Sequence, residues 1–231
     1  NLNGGQLYFR ARNLATVTST ETVGDINYSM GSSIRVDRRI TNGVAQLTVN
    51  SLNRAGVGST LSIVPNGNFL GLNAGNDETE RLFVTPWNTT LPTLSGNVNR
   101  NGTPGFANNG ILPAYYIDAT NNTFLSYNST TGFQSVQSTL TPATNQVAYS
   151  NIFAGGVFSA NTDANSVVDI TTGVVTLTQD QTVYALRTGF GINNGVGQYN
   201  TITFADGATD ADRGGLIITG TTTIATNLKF G

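Results

Sequence analysis

A period of two runs along this chain. Leu7 and Phe9 alternate with Tyr8 and Arg10, Ile34 and Val36 with Arg35 and Asp37, and Leu47 and Val49 with Gln46, Thr48 and Asn50. The same spacing returns at Leu61 and Ile63, Leu82 and Val84, Val175 and Leu177, Ile202 and Phe204, and Leu216 and Ile218. Successive side chains of a strand point to opposite faces, so this rhythm marks strands with one buried and one wet face. Helix is disfavoured from the other side. Strong helix formers are scarce, with a single Met and a single Lys, and Thr, Asn and Gly interrupt every window long enough for three turns. The expected class is all-β with little or no helix.

Between the strands lie Thr41-Asn42-Gly43, Asn66-Gly67-Asn68, Asn109-Gly110, Asn194-Gly195 and Asp206-Gly207, residue pairs that tolerate positive φ and therefore turns. The strand centres Val36, Val49 and Ile63, and later Phe204, Ile218 and Phe230, recur at near-even intervals. A sandwich, a barrel or a β-solenoid fits that rhythm. Three features favour a right-handed parallel β-helix, a β-solenoid, over a closed sandwich. Thr and Asn, which can form hydrogen-bonded ladders from rung to rung, are over-used. Aromatics are only 9% of the chain, and the stretch from Gly214 still reads as strand repeats.

Charge and chemistry narrow the function classes. Charged residues are 10% of the 231, against about 25% in an ordinary soluble domain. The net charge of −2 gives no electrostatic footprint for nucleic acid or an anionic membrane surface. With no His, the commonest general base and its assisted nucleophiles are missing, and with no Cys there are no disulfides, thiolates or structural zinc centres. No apolar run approaches the ~20 residues of a spanning helix. The chain opens on Asn1 without a charged and apolar leader, so any leader is expected to have been removed or to lie outside this stretch. A Cys-free, Lys-poor, Asn/Thr/Gly-rich chain is the composition expected of an extracellular or cell-surface protein stabilised by repetition.

One segment breaks the rhythm. Pro65, Pro86, Pro92, Pro104 and Pro113 fall together with Trp87, the only tryptophan, and are followed by Tyr115, Tyr116, Phe124, Tyr127 and Phe133. Proline cannot donate to a central ladder, so this part is expected at an edge or outside the stack. The expected organisation is solenoid rungs over 1–64, a Pro/aromatic-rich excursion packed on the solenoid over 65–146, and further rungs over 147–231.

The run Ser33-Ile-Arg-Val-Asp-Arg-Arg, then Leu47-Thr-Val, Leu61-Ser-Ile-Val-Pro, Gly110-Ile-Leu-Pro-Ala-Tyr and Thr123-Phe-Leu-Ser-Tyr-Asn with Thr131-Gly-Phe, resembles bacterial autotransporter-associated β-strand repeat proteins. Thr182-Val-Tyr-Ala-Leu-Arg, Ile202-Thr-Phe, Gly214-Gly-Leu-Ile-Ile-Thr-Gly and Leu228-Lys-Phe-Gly continue the resemblance in the same order. It implies a large secreted or surface-displayed parallel β-helix, one module of a longer chain. It carries no catalytic motif.

Several residues are candidates for binding. Asp206, Asp210 and Asp212 on a Gly-containing turn are oxygen donors that Ca²⁺ accepts, although their spacing matches neither the EF-hand loop nor the nonapeptide Ca²⁺ repeat, and a solvated turn is the alternative. No other cofactor is expected. The acidic stretch from Asn76 to Arg81 reads as a solvated loop. Arg35, Asp37 and Arg39 share a strand face with Arg38 on the other, which predicts cross-strand charge pairing with an anionic glycan as the alternative. Trp87, Tyr115, Tyr116 and Tyr127 could form a stacking platform for sugar rings, or cover the flank of the solenoid.

A pair of carboxylates for glycoside cleavage is not singled out by any flanking pattern, so no enzymatic activity is expected. The expected role is structural, a module of a surface protein, fibre, sheath or adhesin stalk. A carbohydrate-binding adhesion module is the alternative, and a polysaccharide-cleaving enzyme comes third. Ile224, Leu228 and Phe230 lie in the last strand repeats and would be inward residues of an uncovered rung. The expected partner is the continuation of the chain or a second copy through open solenoid ends, with polysaccharide as a further possibility.

Overall fold

The computed structural model describes residues 1–14, 17–40, 43–67, 70–71, 79–86, 91–92, 94, 98–100, 110–138, 147–158, 162–205 and 214–230. Every regular element among them is a strand, and none of the described residues forms a helix long and apolar enough to cross a membrane. The all-β class follows from the alternation, and several of the sheets are parallel.

The chain opens with β1 (Leu2–Asn3), β2 (Gln6–Arg10), β3 (Thr18–Ser29) and β4 (Gly31–Asp37), followed by β5 (Val44–Arg54), β6 (Thr60–Pro65) and β7 (Thr79–Val84). These strands alternate between two sheets. One sheet runs β1-β3-β5-β7 and the other begins β2-β4-β6, with every neighbour parallel. A parallel pair needs a connection that returns the chain to its starting side. Here the strand in the opposite sheet supplies the return. The inward residues foreseen from the period of two, among them Ile34, Val36, Leu47, Val49, Leu61, Ile63, Leu82 and Val84, are buried in one core.

The middle of the chain mixes two kinds of pairing. It holds β8 (Val98–Arg100), β9 (Tyr116–Asp118), β10 (Thr123–Asn128), β11 (Gly132–Ser135) and β12 (Val147–Tyr149). β9 joins β6 in parallel, while β10 is antiparallel to β9 and β11 antiparallel to β10. β8 and β12 form a separate antiparallel pair. Within 65–146 the chain therefore both continues the parallel sheets, through β7 and β9, and departs from them. Proline is accommodated at element ends: Pro65 closes β6, and the Pro113 carbonyl accepts the Tyr116 N–H in the turn before β9. Gly132, with φ of 77°, lets the β10–β11 hairpin close against β7, since a Cβ there would stand 2.2 Å from the Leu82 carbonyl oxygen.

The last part contains β13 (Asn151–Phe153), β14 (Gly156–Phe158), β15 (Val167–Ile170), β16 (Val175–Leu177), β17 (Gln181–Val183) and β18 (Ala185–Thr188). It ends with β19 (Ile192–Asn194), β20 (Thr201–Phe204), β21 (Leu216–Ile218), β22 (Ile224–Ala225) and β23 (Asn227–Phe230). Three parallel sheets result, ordered β13-β15-β18-β21, β14-β16-β19-β22 and β17-β20-β23. From β15 onward the chain visits the three sheets in turn, one strand in each. Val168, Ile170, Val175, Leu177, Leu186, Ile192, Ile202 and Phe204 fill the space between them. A further cluster of Phe124, Val136, Tyr149, Val167, Tyr184 and Ala185 joins the β10–β11 hairpin to these sheets.

Candidate functional site

Side-chain ladders connect neighbouring parallel strands. Asn53 Nδ2 donates to Asn27 Oδ1 at 3.1 Å, and Asn27 Nδ2 donates to Asn1 Oδ1 at 3.0 Å. In the same sheet Ser29 Oγ donates to Asn3 Oδ1 and Ser51 Oγ to Asp25 Oδ1, and in the sheet of β2 and β4 Gln6 Nε2 donates to Ser33 Oγ. Such bonds contribute on the order of 0.5–1.5 kcal/mol each, with exposed ones at the low end. Register partners on neighbouring parallel strands face each other, so the Asn1–Asn27–Asn53 ladder and the Ser, Asp and Gln pairs tie strand to strand.

The outermost strands leave inward residues half covered. Phe204 on β20 is 2% exposed, while its register partner Phe230 on β23, stacked on it with ring centroids 4.6 Å apart, is 59% exposed. Ile192 is buried beneath the half-buried Ile224, and Ile202 beneath the half-buried Leu228. The structure thus gathers Ile224, Leu228 and Phe230 at the edge formed by β22 and β23. In the first sheets, Leu7 and Phe9 on the outer strand β2 are half-buried where their partners Ile34 and Val36 are fully buried. The contrast is one of position rather than residue type: the same kind of side chain is covered on both sides in an inner strand and on one side in an outer one.

The charged face of β4 differs in part from expectation. Arg35 and Asp37 do share the outward face, but Arg39 lies past the strand end with φ of 67° and donates its backbone N–H to Asp37 Oδ1. Asp37 is buried because Tyr8 and Arg10, from the neighbouring strand, close over it. The Tyr8 hydroxyl donates to Asp37 Oδ2, and Arg10 Nε stands 3.2 Å from the same oxygen. That hydrogen bond to Asp37 is the main cause that holds the Tyr8 hydroxyl above its ordinary pKa. The Arg35 guanidinium lies 5.2 Å from the centre of the Tyr8 ring and donates to Asn66 Oδ1.

Glu80 corrects the expectation of a solvated loop over Asn76 to Arg81. It is 3% exposed, on the inward side of β7. Its Oε1 accepts the backbone N–H of Arg38, and its Oε2 accepts those of Asn66 and Gly67, so one carboxylate satisfies three main-chain donors from two turns. Burial pushes its pKa up, and the three hydrogen bonds offset only part of that effect. The signal was present in the sequence: Glu80 has the same parity as Leu82 and Val84, which places it on the buried face.

Asp118 and Asp169 are also fully buried. Asp118 Oδ1 accepts the N–H of Thr120 and Asn121, and its Oδ2 accepts Asn121 Nδ2 at 2.7 Å and Ser135 Oγ at 2.5 Å. Desolvation raises its pKa. Asp169 is paired with Arg187 across adjacent strands. These carboxylates have their oxygens engaged by turn N–H groups, hydroxyls or a guanidinium, and the chemistry such an arrangement performs is the fixing of turns and strand neighbours.

Burial also decides most of the aromatic platform. Tyr116 is 1% exposed and Tyr127 is 2% exposed, so neither ring is open to a sugar. Tyr116 packs edge-on against Tyr28, and Tyr127 against Phe133, while the Tyr127 hydroxyl bonds both the N–H and the carbonyl of Val84. Tyr115 is half-buried under the Arg54 guanidinium, 3.9 Å from its ring centre. Their large apolar areas fill the junction between hairpin and sheets instead. Trp87, and the carboxylates Asp206, Asp210 and Asp212 expected as calcium donors, lie outside the described residues. Among the described residues, no three metal-ligating side chains come together. No family model, no curated protein and no solved structure matches this chain.

Proposed function

We propose that this chain is a structural, non-catalytic module of an extracellular or cell-surface protein, of the kind typified by autotransporter-associated β-strand repeat proteins. On this reading its parallel sheets are the walls of a β-helix. The strand order β15-β16-β17, β18-β19-β20, β21-β22-β23, with each strand parallel to its counterpart in the next turn, supports a coiled path. A right hand is the reading consistent with the strong chiral preference of parallel crossovers.

The observation that carries the functional reading is the exposure contrast at the outer strands. Phe230 against Phe204, and Leu7 against Ile34, are the same layer of core with and without a neighbour. An uncovered strand also offers main-chain N–H and C=O groups that another strand can pair with. The module therefore works by rung stacking, with the continuation of the same chain or a second copy as partner. A heterologous contact of this type does not close and extends into a fibre.

Light scattering over a concentration series tests the self-association form. Growth in particle mass with concentration, abolished by Phe230→Lys or Ile224→Asp, is the expected result. A strictly monomeric wild type, in a parent protein with no further strand repeats on either side, would overturn both forms.

A further inference from the structure

We infer that the outward face of β2 and β4 around Tyr8 is a binding site for an acidic polysaccharide whose sugars carry carboxylates. Tyr8 and Arg10 sit on β2, the outer strand of its sheet, but on its outward face, whereas rung stacking uses the main chain of β2 and the inward Leu7 and Phe9, so the two use different groups.

Tyr8 is 47% exposed, yet it is fixed on two sides. Its hydroxyl is tied to Asp37 and its ring lies against the Arg35 guanidinium. An aromatic ring held in one orientation loses little freedom when it stacks on the C–H face of a sugar. Neighbouring positions on the same face are polar and neutral: Gln6 and Ser33 are bonded to each other across β2 and β4, and Ser62 follows on β6. These are the groups that exchange hydrogen bonds with sugar hydroxyls.

The anionic part of the ligand is specified by the arginines. Arg10 lies two positions along β2 from Tyr8 on the same face, and Arg35 is the cross-strand neighbour of Tyr8, so two guanidinium groups flank the ring within about 7 Å of strand spacing. Arg10 meets Asp37 through Nε, and its side chain remains 53% exposed. Asp37 is already saturated by Tyr8, Arg10 and the Arg39 N–H, so it adds little repulsion. On the outward face of β2, β4 and β6 the charged side chains are Arg10, Arg35 and Asp37, a net cationic patch in a chain of net charge −2. A planar carboxylate fits the guanidinium fork, and a pyranose ring fits the tyrosine beside it. A nucleic-acid strand would instead call for a succession of open aromatic rings.

The test is a calorimetric titration of the full chain with a galacturonate hexamer at low ionic strength, using maltohexaose and oligo-dT as neutral and non-sugar polyanionic controls. Saturable binding of the galacturonate alone is expected, weakened about tenfold by Tyr8→Leu and by Arg10→Gln. Tyr8→Phe, which keeps the ring and loses only the bond to Asp37, should bind within about threefold of wild type, and circular dichroism establishes that each variant is folded. Should Tyr8→Leu not fold, Tyr8→Phe and Arg10→Gln carry the comparison. Absence of galacturonate binding, equal binding of maltohexaose, equal or tighter binding of oligo-dT, or unchanged affinity in Arg10→Gln overturns the assignment.

Discussion

Arg187 on β18 stands directly across from Asp169 on β15, with Nη1 3.0 Å from Oδ2. The same guanidinium donates through Nε to the Asn122 carbonyl at 2.8 Å and through Nη1 to Ser138 Oγ at 3.1 Å. One side chain thus ties two strands of the last sheets to the turn between β9 and β10. The Asp169 side chain is 1% exposed, so removing its partner leaves a carboxylate charge buried without compensation. Arg187→Met should cost about 3 kcal/mol, while adding Asp169→Leu should recover part of the loss. Urea denaturation with an unchanged slope is the measurement, and a loss under about 1 kcal/mol would contradict the role given to the pair.

Four buried tyrosines should make alkaline unfolding cooperative. Burial raises the hydroxyl pKa of Tyr28, Tyr116 and Tyr149 far above the usual value, and that of Tyr127 is pushed up to about 12. Above pH 10 the unfolded chain releases these protons and the folded chain holds them, so stability is intact below pH 10 and falls as pH rises towards the folded values. The fall is about 1.4 kcal/mol per pH unit for each group that ionises only on unfolding. Absorbance at 295 nm should show these tyrosines titrating together with the loss of β-sheet circular dichroism. Smooth titration of every tyrosine in a folded chain would refute it.

Glu80 holds two turns through backbone donors, so Glu80→Ala should destabilise by about 2–4 kcal/mol and raise amide exchange at Arg38, Asn66 and Gly67. The sign of its pH dependence is opposite to that of a salt-bridged carboxylate. Because burial raises the folded pKa, the contribution of Glu80 is greatest below the ordinary carboxylate range and diminishes as pH rises through the folded value; Asp118 behaves alike. Urea midpoints between pH 4 and 7, in wild type and Glu80→Gln, should differ in slope. Parallel profiles would remove Glu80 from the account.

Two turn substitutions have opposite signs. Gly132→Ala places a Cβ against the Leu82 carbonyl at a positive φ and should cost about 3 kcal/mol. Met30, between β3 and β4, also has positive φ, at 56°, and is 63% exposed, so Met30→Gly relieves strain with little packing lost. A gain of about 0.5 kcal/mol is expected, since glycine's own chain entropy offsets part of the relief. Thermal melts of both variants decide the matter, and a stable Gly132→Ala would show that the hairpin can move away from β7.

The half-buried strands were legible because each has one wet face: Leu7, Ile34, Leu47, Ile63 and Ile202 all announce themselves by alternation. β10 and β11 were not, because every residue from Thr123 to Asn128 and from Gly132 to Ser135 is buried and a strand covered on both faces carries no period. Aromatic clustering at Tyr116, Tyr127 and Phe133 was visible as composition, but whether those rings lie under or over the surface depends on long-range packing. Tertiary contacts also decided the carboxylates. Asp118 and Asp169 look like ordinary polar residues until the partners Ser135 and Arg187, distant in sequence, close on them.

The asparagine ladder has a consequence for how such a chain can change length. Asn1, Asn27 and Asn53 are each separated by 26 residues, and the same offset holds for Leu2 with Tyr28 and for Val23 with Val49. Excising 27–52 would bring Asn53 into the place of Asn27 and set β3 against β7 in the offset that β5 now has, keeping the alternation of faces but putting Glu21 where Leu47 now packs on Leu82. Duplicating the same stretch would add one layer on equal terms. An insertion of any odd length inside a strand would instead reverse every face that follows it. Whole-layer duplication is therefore the mutational route open to the first part of this fold, and point substitution the route that remains at the hairpin.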